Sequence, residues 1–180
     1  MSKTVICKDV FNNEYKHDSE ELRQTLRAYA VIIENNKILL TKQWDGYSLV
    51  GGGVEKGESF EETIIREVKE ETGLDIIPDK MFYNTFRFFQ RKPDTQPVQA
   101  FQFYFSHKKI IGEINNDNIT DSEKTYTNGL AEWVDLKDLN KITFRHSVEL
   151  EEILENYFKN NILPLNLIPD INKLYSSEKN

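Results

Sequence analysis

The chain has 180 residues, of which 38% are apolar and 29% charged, with eleven Phe and eight Tyr. That composition excludes a disordered or fibrous chain and describes one folded domain of ordinary size. Thirty acids against 23 bases leave a net charge of −7, which argues against a nucleic-acid polymer or an anionic membrane as partner, since both call for a basic face.

In chain order, Met1–Val10 carries lysines but no apolar core of a signal peptide. No later run approaches the roughly 20 apolar residues of a membrane span, so the expected location is the cytoplasm. Thr4–Cys7 reads as an edge strand, and His17–Glu21 as a loose acidic connector. The single Cys7 leaves no internal disulfide and no multi-cysteine zinc site; it reads as a structural thiol. Residues 26–33 and 37–41 form two strands around the turn Asn35-Asn36, and 47–50 a third after the turn Trp44-Asp45-Gly46. Three glycines, 51–53, follow.

Residues 59–72 read as a helix. Ser59 and Glu62 have the spacing of a capping box, Phe60, Ile64 and Val68 mark a core face, and Gly73 suits the left-handed residue that ends a helix. Met81–Gln90 and Val98–Phe105 are aromatic-rich strands joined by a turn at Lys92–Thr95. Residues 107–128 read as loop apart from a short strand near Ile110-Ile111, and 131–136 as a further strand. Val148–Phe158 is an amphipathic helix, and 161–180 a tail ordered only in part. Strands on both sides of one central helix, with a second helix at the end, give an α+β fold: a mixed β-sheet between helices.

The helix at 59–72 carries the chemistry. Glu67, Glu70 and Glu71 sit at i, i+3 and i+4, which makes them neighbours on one surface. Together they repel one another, and they lie near the helix C-terminus, where the macrodipole disfavours negative charge. A fold gains nothing from that arrangement without a cation, and hard oxygen ligands select Mg²⁺ or Mn²⁺ over zinc. A solvated acidic face is the commoner fate of such a helix. Here the segment Gly51-Gly52-Gly53-Val54-Glu55-Lys56-Gly57-Glu58 leads into it, and its glycines let backbone carbonyls approach a ligand. Arg66, among the acids, can orient one of them through a bidentate pair.

Gly52, five residues, Glu58, seven residues, then Arg66-Glu67-Val68-Lys69-Glu70-Glu71-Thr72-Gly73-Leu74 resembles the Nudix (MutT-like) box. Every fixed position of that 23-residue signature is filled: Gly52, Glu58, Arg66, Glu67, Glu70, Glu71 and Gly73, with aliphatic Val68 and Leu74. The order of elements extends the resemblance over residues 25–160, which leaves 1–24 as an N-terminal extension and 161–180 as the tail. The resemblance implies a Nudix-type α/β/α sandwich. It also implies a Mg²⁺- or Mn²⁺-dependent pyrophosphohydrolase that cleaves a nucleoside diphosphate linked to another moiety and releases a nucleoside monophosphate. Carried over by position, Glu67, Glu70 and Glu71 hold metal and one of them acts as general base. The carbonyl of Gly51 or Gly52 is a further ligand, and Glu58, Arg66 and Gly73 support the box. Relatives often add an acid from a later loop; Glu123 and Glu132 are the candidates, with Asp121 behind them. Arg27 and Lys42 are candidates for the substrate phosphates, and Trp44, Tyr47 and Phe88 for stacking on a base.

The box does not name the substrate. The proline that marks the ADP-ribose group falls at Gln90, and the tyrosine of the dinucleoside polyphosphate group at Arg91. The NADH-type and coenzyme A-type signatures are absent. Elimination leaves open a (deoxy)nucleoside triphosphate or a small nucleoside diphosphate derivative. The alternative is a noncatalytic nucleotide-binding Nudix regulatory module; such modules often lose box acids, and this chain keeps them all. An isomerase on the same scaffold has no specific support. Many members of the family are dimers, and the aromatic surplus permits a homodimer here.

Overall fold

The computed structural model describes residues 2–9, 11–91, 95–115, 117, 131–145 and 148–160. Glu123, Asp121, most of the turn at Lys92–Thr95 and the tail 161–180 lie outside the described residues.

The strands are β1 (Thr4–Lys8), β2 (Glu14–Asp18), β3 (Arg23–Ala30), β4 (Ile33–Glu34), β5 (Lys37–Gln43), β6 (Gly46–Gly53), β7 (Asp75–Phe89), β8 (Val98–Ile111) and β9 (Glu132–Asp135). The helices are α1 (Phe60–Thr72) and α2 (Leu150–Lys159). The strands form one mixed sheet in the order β2-β1-β7-β8-β3-β6-β5-β4, with β9 paired to β5. The pairs β3–β8 and β1–β7 are parallel and the other pairs antiparallel.

β3 and the residues after it show why the sheet sits between helices. Alternate side chains point to opposite faces of a strand. Ala28, Ala30 and Ile32 join Leu39, Val50, Ile64 and Val68 in the core beneath α1. Tyr29, Val31 and Ile33 join Ile38, Leu40, Leu49, Ile153 and Tyr157 in the core beneath α2. A run apolar at every position is what burial on both faces requires.

α1 ends as its sequence demands. The Glu62 backbone N–H donates to Ser59 Oγ at 3.2 Å, and Glu62 Oε2 accepts the Ser59 N–H at 2.7 Å. Gly73 closes the helix at φ 76°, its N–H donating to Lys69 O.

Five expectations need correction. β1 is not an edge strand: it lies between β2 and β7, and β2 is the edge. Residues His17–Glu21 are not a loose connector but the end of β2 and a 3-10 turn at Ser19–Glu21, where the Asp18 side chain accepts the Glu20 N–H. The segment is too polar to show the alternation that announces a strand, and backbone pairing to β1 forms it regardless. β7 starts at Asp75, not Met81, because β-bulges around Ile77, Pro78, Met81 and Tyr83 carry the strand past a proline. The short strand at Ile110-Ile111 is the far end of β8, paired with Asp75 and Ile76. The glycines 51–53 likewise belong to β6, opposite Arg27, Ala28 and Tyr29, so they are strand and not loop.

Candidate active site

The end of β6 and the length of α1 meet at the three glycines. Gly51 adopts φ 138°, and a Cβ there would lie 2.3 Å from the Ala28 carbonyl oxygen. Only glycine takes that backbone conformation freely and lets β3 come so close. A Cβ on Gly52 would lie 2.4 Å from Glu67 Oε1. The bare backbone of β6 is therefore the wall against which Glu67 rests. The sequence needs glycine at both places, for two different contacts.

Arg66 organises the acids. Its Nε donates to Glu58 Oε1 at 2.7 Å and its Nη2 to Glu58 Oε2 at 3.0 Å, a bidentate pair. Nη1 donates to Glu67 Oε1 at 2.9 Å and to Glu70 Oε2 at 3.0 Å, and Nη2 also reaches the Gly53 carbonyl at 3.0 Å. Glu58 further accepts the Glu55 N–H and the Thr63 hydroxyl. With Arg66 as the main cause, its carboxyl is held at about 2, well below the ordinary range. The same bonds, Glu58 first, raise the Arg66 guanidinium above its ordinary value. Glu71 is held separately: its Oε2 accepts the Gly51 N–H at 2.9 Å. Glu67 is only 9% exposed.

The three carboxylates of α1, the Gly53 carbonyl and one guanidinium thus meet at the β6–α1 junction. The oxygens are hard donors of the kind Mg²⁺ and Mn²⁺ take, with no soft ligand among them. Among the described residues, no three carboxylate, histidine or cysteine side chains are already gathered on one point; Arg66 and the Gly51 N–H share the acids out. The donor set fits a hard divalent ion, and Arg66 is its rival for Glu67 and Glu70.

The remaining candidates divide. Arg27 on β3 stands opposite Gly53 and donates from Nε to the Tyr29 hydroxyl at 2.7 Å. Tyr29 is the main influence that raises the guanidinium, and Glu67 and Glu71 add to it, so Arg27 lies within electrostatic reach of the acids. Lys42 does not share that neighbourhood. It pairs with Tyr47 at the other end of β6 and sits over the Tyr47 ring at 5.6 Å. Five residue steps of about 3.3 Å each separate Tyr47 from Gly52 along the strand. Glu132, on β9, accepts a hydrogen bond from the Tyr47 hydroxyl and is not among the box acids. Trp44 is 58% exposed at the β5–β6 turn. Phe88 is half-buried on β7, edge-to-face with Phe86.

Two features escaped the sequence reading. Thr63 supports Glu58, which a capping-box pattern does not announce. The rings of Tyr29, Tyr104 and Tyr83 stack across β3, β8 and β7 at 5.5 and 5.7 Å, next to Arg27. The alternation Arg27-Ala28-Tyr29 could have placed Arg27 and Tyr29 on one face. The cross-strand partners could not be read without the register.

A family model described as NUDIX domain matches residues 24–157. An ADP-ribose pyrophosphatase of Methanocaldococcus jannaschii is 34% identical over 136 residues, covering 72% of this chain and 70% of that protein. An uncharacterized Nudix hydrolase of Bacillus subtilis, YvcI, is 29% identical over 110 residues, covering 61% and 64%. A solved Nudix hydrolase from Nitrosomonas europaea superposes with a TM-score of 0.55 at 21% identity, covering 82% of this chain and 97% of that one.

Proposed function

From its membership of the Nudix hydrolase family, to which this chain belongs, we propose that the chain is a Mg²⁺-dependent pyrophosphohydrolase. Its substrate is a nucleoside diphosphate joined to a second moiety, and ADP-ribose is the first compound to test. The observation that carries this reading is the β6–α1 junction, where the Gly52 backbone meets Glu67, the Gly51 N–H holds Glu71, and Arg66 joins Glu58, Glu67 and Glu70. The substrate choice rests on the 34% identical relative, an ADP-ribose pyrophosphatase. That similarity outweighs the absence of a proline at Gln90.

Nudix hydrolases generally use divalent metal ions. Glu67, Glu70 and Glu71 would hold Mg²⁺ here, with the Gly51 or Gly52 carbonyl, and the ion would supply Lewis acidity and a more acidic bound water. The chain's own residues do the rest. Arg66 orients Glu67 and Glu70, the Gly51 N–H orients Glu71, and one of the three carboxylates takes the proton of the attacking water. Arg27 offsets phosphate charge beside the acids. Glu58 anchors Arg66.

The test is a nucleotide panel with Mg²⁺ and an EDTA control, scored for phosphate and nucleoside monophosphate. It contains ADP-ribose, NADH, canonical and oxidised deoxynucleoside triphosphates, dinucleoside polyphosphates and sugar nucleotides. EDTA-sensitive release of AMP from ADP-ribose is the expected result. Cleavage of triphosphates alone would return the substrate to the choice made by elimination. Silence across the panel would favour the nucleotide-binding module.

A further inference from the structure

Resting on that reading, we propose that Tyr29 is a positioning residue: its hydroxyl fixes the Arg27 guanidinium so that the terminal nitrogens meet a substrate phosphate in the open space beside Gly53.

Within β3, the core beneath α2 begins at Tyr29. Arg27, the residue before it on that face, stands opposite Gly53 and is half-buried. Gly53 is exposed, and a Cβ built on it would meet no atom within 4 Å. Residues opposite each other on neighbouring strands point to the same side of the sheet, so the face that carries Arg27 is open beside Gly53. The box acids lie close by. Glu67 and Glu71 both act on the Arg27 charge, and the Gly53 carbonyl accepts Arg66 Nη2.

Tyr29 is built to hold still. Its ring stacks on Tyr104 at 5.5 Å, and Tyr104 on Tyr83 at 5.7 Å. It stands opposite Gly51, and a Cβ there would come within 3.0 Å of Tyr29 Cδ1. From that mount the hydroxyl accepts Arg27 Nε at 2.7 Å, and among the described residues it is the one hydrogen-bond partner of Arg27. A guanidinium is a rigid planar fork of N–H donors. Nε is committed to Tyr29, and the N–H pairs on Nη1 and Nη2 remain for an anion. A phosphate takes such a fork as a bidentate pair. With Nε fixed, the plane of the fork is fixed too, so the entropy of ordering this long side chain is lost on folding rather than on binding. Packing alone would require the tyrosine ring and not its hydroxyl.

Tyr29→Phe keeps the ring and removes the hydroxyl. The experiment takes Tyr29→Phe, Arg27→Ala and the double variant through steady-state hydrolysis of ADP-ribose with Mg²⁺. In parallel, calorimetry measures binding of α,β-methylene ADP with Mg²⁺, which needs no turnover. Tyr29→Phe is expected to raise KM for ADP-ribose and Kd for the analogue about threefold to tenfold, the scale of ordering one long side chain. The kcat should stay within about twofold, because Arg27 grips the phosphate in the ground state as in the transition state. In the Arg27→Ala background the same change should move KM and Kd by no more than about twofold. If the hydroxyl served the fold alone, Tyr29→Phe would lower Tm and leave KM and Kd unchanged, or would shift them equally with and without Arg27; either result overturns the proposal. Turnover of ADP-ribose by Arg27→Ala with an unchanged KM overturns it too and leaves the hydrolase reading standing. Analogue binding that weakens in Tyr29→Phe only while Arg27 is present, with no turnover of ADP-ribose by the wild type, would sustain the positioning role and remove the hydrolase reading. No turnover and no analogue binding would remove both.

Discussion

The two ends of β6 are built on different principles. At the glycine end the acids and the groups that bond them belong to one continuous stretch, residues 51–73, with Arg27 of β3 beside them: Gly51 meets Glu71, Gly52 meets Glu67, and Arg66 joins Glu58, Glu67 and Glu70. At the Tyr47 end the partners come from afar. Glu132 is 85 residues from Tyr47, and Arg145, which pairs with Asp45, is 100 residues away. Metal and phosphate chemistry asks for three carboxylates in fixed relation, and a helix supplies that relation through its own period. The first end is a local invention of the chain and the second a product of its tertiary pairing.

The sharpest way to break that contrast is to remove one box acid. Glu70→Gln or Glu71→Gln should lower kcat/KM with Mg²⁺ by at least about 100-fold, on the scale of removing one group that stabilises transition-state charge. Tm should change little, since the relief of repulsion among neighbouring acids offsets the weakened bond to Arg66 or to the Gly51 N–H. Steady-state kinetics beside a thermal melt checks both halves. Full Mg²⁺-dependent activity in either variant would show the site assignment to be wrong.

Arg66→Ala comes next, and it strikes structure as well as chemistry. It strips donors from Glu58, Glu67, Glu70 and the Gly53 carbonyl at once. The partners are largely shielded from solvent, so the expected cost is about 2–4 kcal/mol. At this chain length that is a fall in Tm of about 5–15 °C. Tyr47→Phe, at the other end of the strand, removes one exposed hydrogen bond and should cost about 1 kcal/mol or less. Denaturant melts of the two variants side by side would show whether the asymmetry between the ends is energetic as well as architectural.

The same asymmetry explains what could be read from the sequence. The box was legible because its signals are local: a cap at Ser59, acids at helical spacing, a glycine at 73 where φ is positive. The sandwich was legible from the order of elements, strands on both sides of one central helix with a second helix at the end. β2 was not, because Glu14–Asp18 is held by pairing with β1 and shows no apolar alternation. The start of β7 was hidden by Pro78, whose missing N–H argues against a strand until bulges carry the ladder past it. Arg27 and Lys42 look alike in sequence, each a base on a strand of the same half. Register separates them: Arg27 pairs with Gly53 and Lys42 with Tyr47.

Acid offers a gentler test. The Glu58 carboxyl titrates at about 2 in the folded chain against an ordinary value of 4.5. A depressed carboxyl contributes stability that is fully present above the ordinary value and is lost as pH falls toward the folded one. Tm should therefore decline between about pH 4.5 and pH 2, with Glu58→Gln showing a lower starting Tm and a flatter decline. Parallel curves for the two proteins would mean that the Arg66 pair contributes nothing in that window.

The smallest expected effect concerns the metal alone. Glu67 and Glu70 are already engaged by Arg66, and Glu71 by the Gly51 N–H, so on the proposed reading Mg²⁺ would have to compete for these carboxylates. Binding to the native state alone raises stability by about 1.4 kcal/mol at ten times Kd, which is a Tm shift of about 3–6 °C. The shift should grow when a nonhydrolysable nucleotide is added, because phosphate oxygens would supply further hard donors to the ion. Glu71→Gln should abolish the shift with metal alone, and Glu132→Gln should leave it intact. If Glu132→Gln abolished it as well, the distance between the two ends of β6 would have been misread, and the acid on β9 would belong with the box.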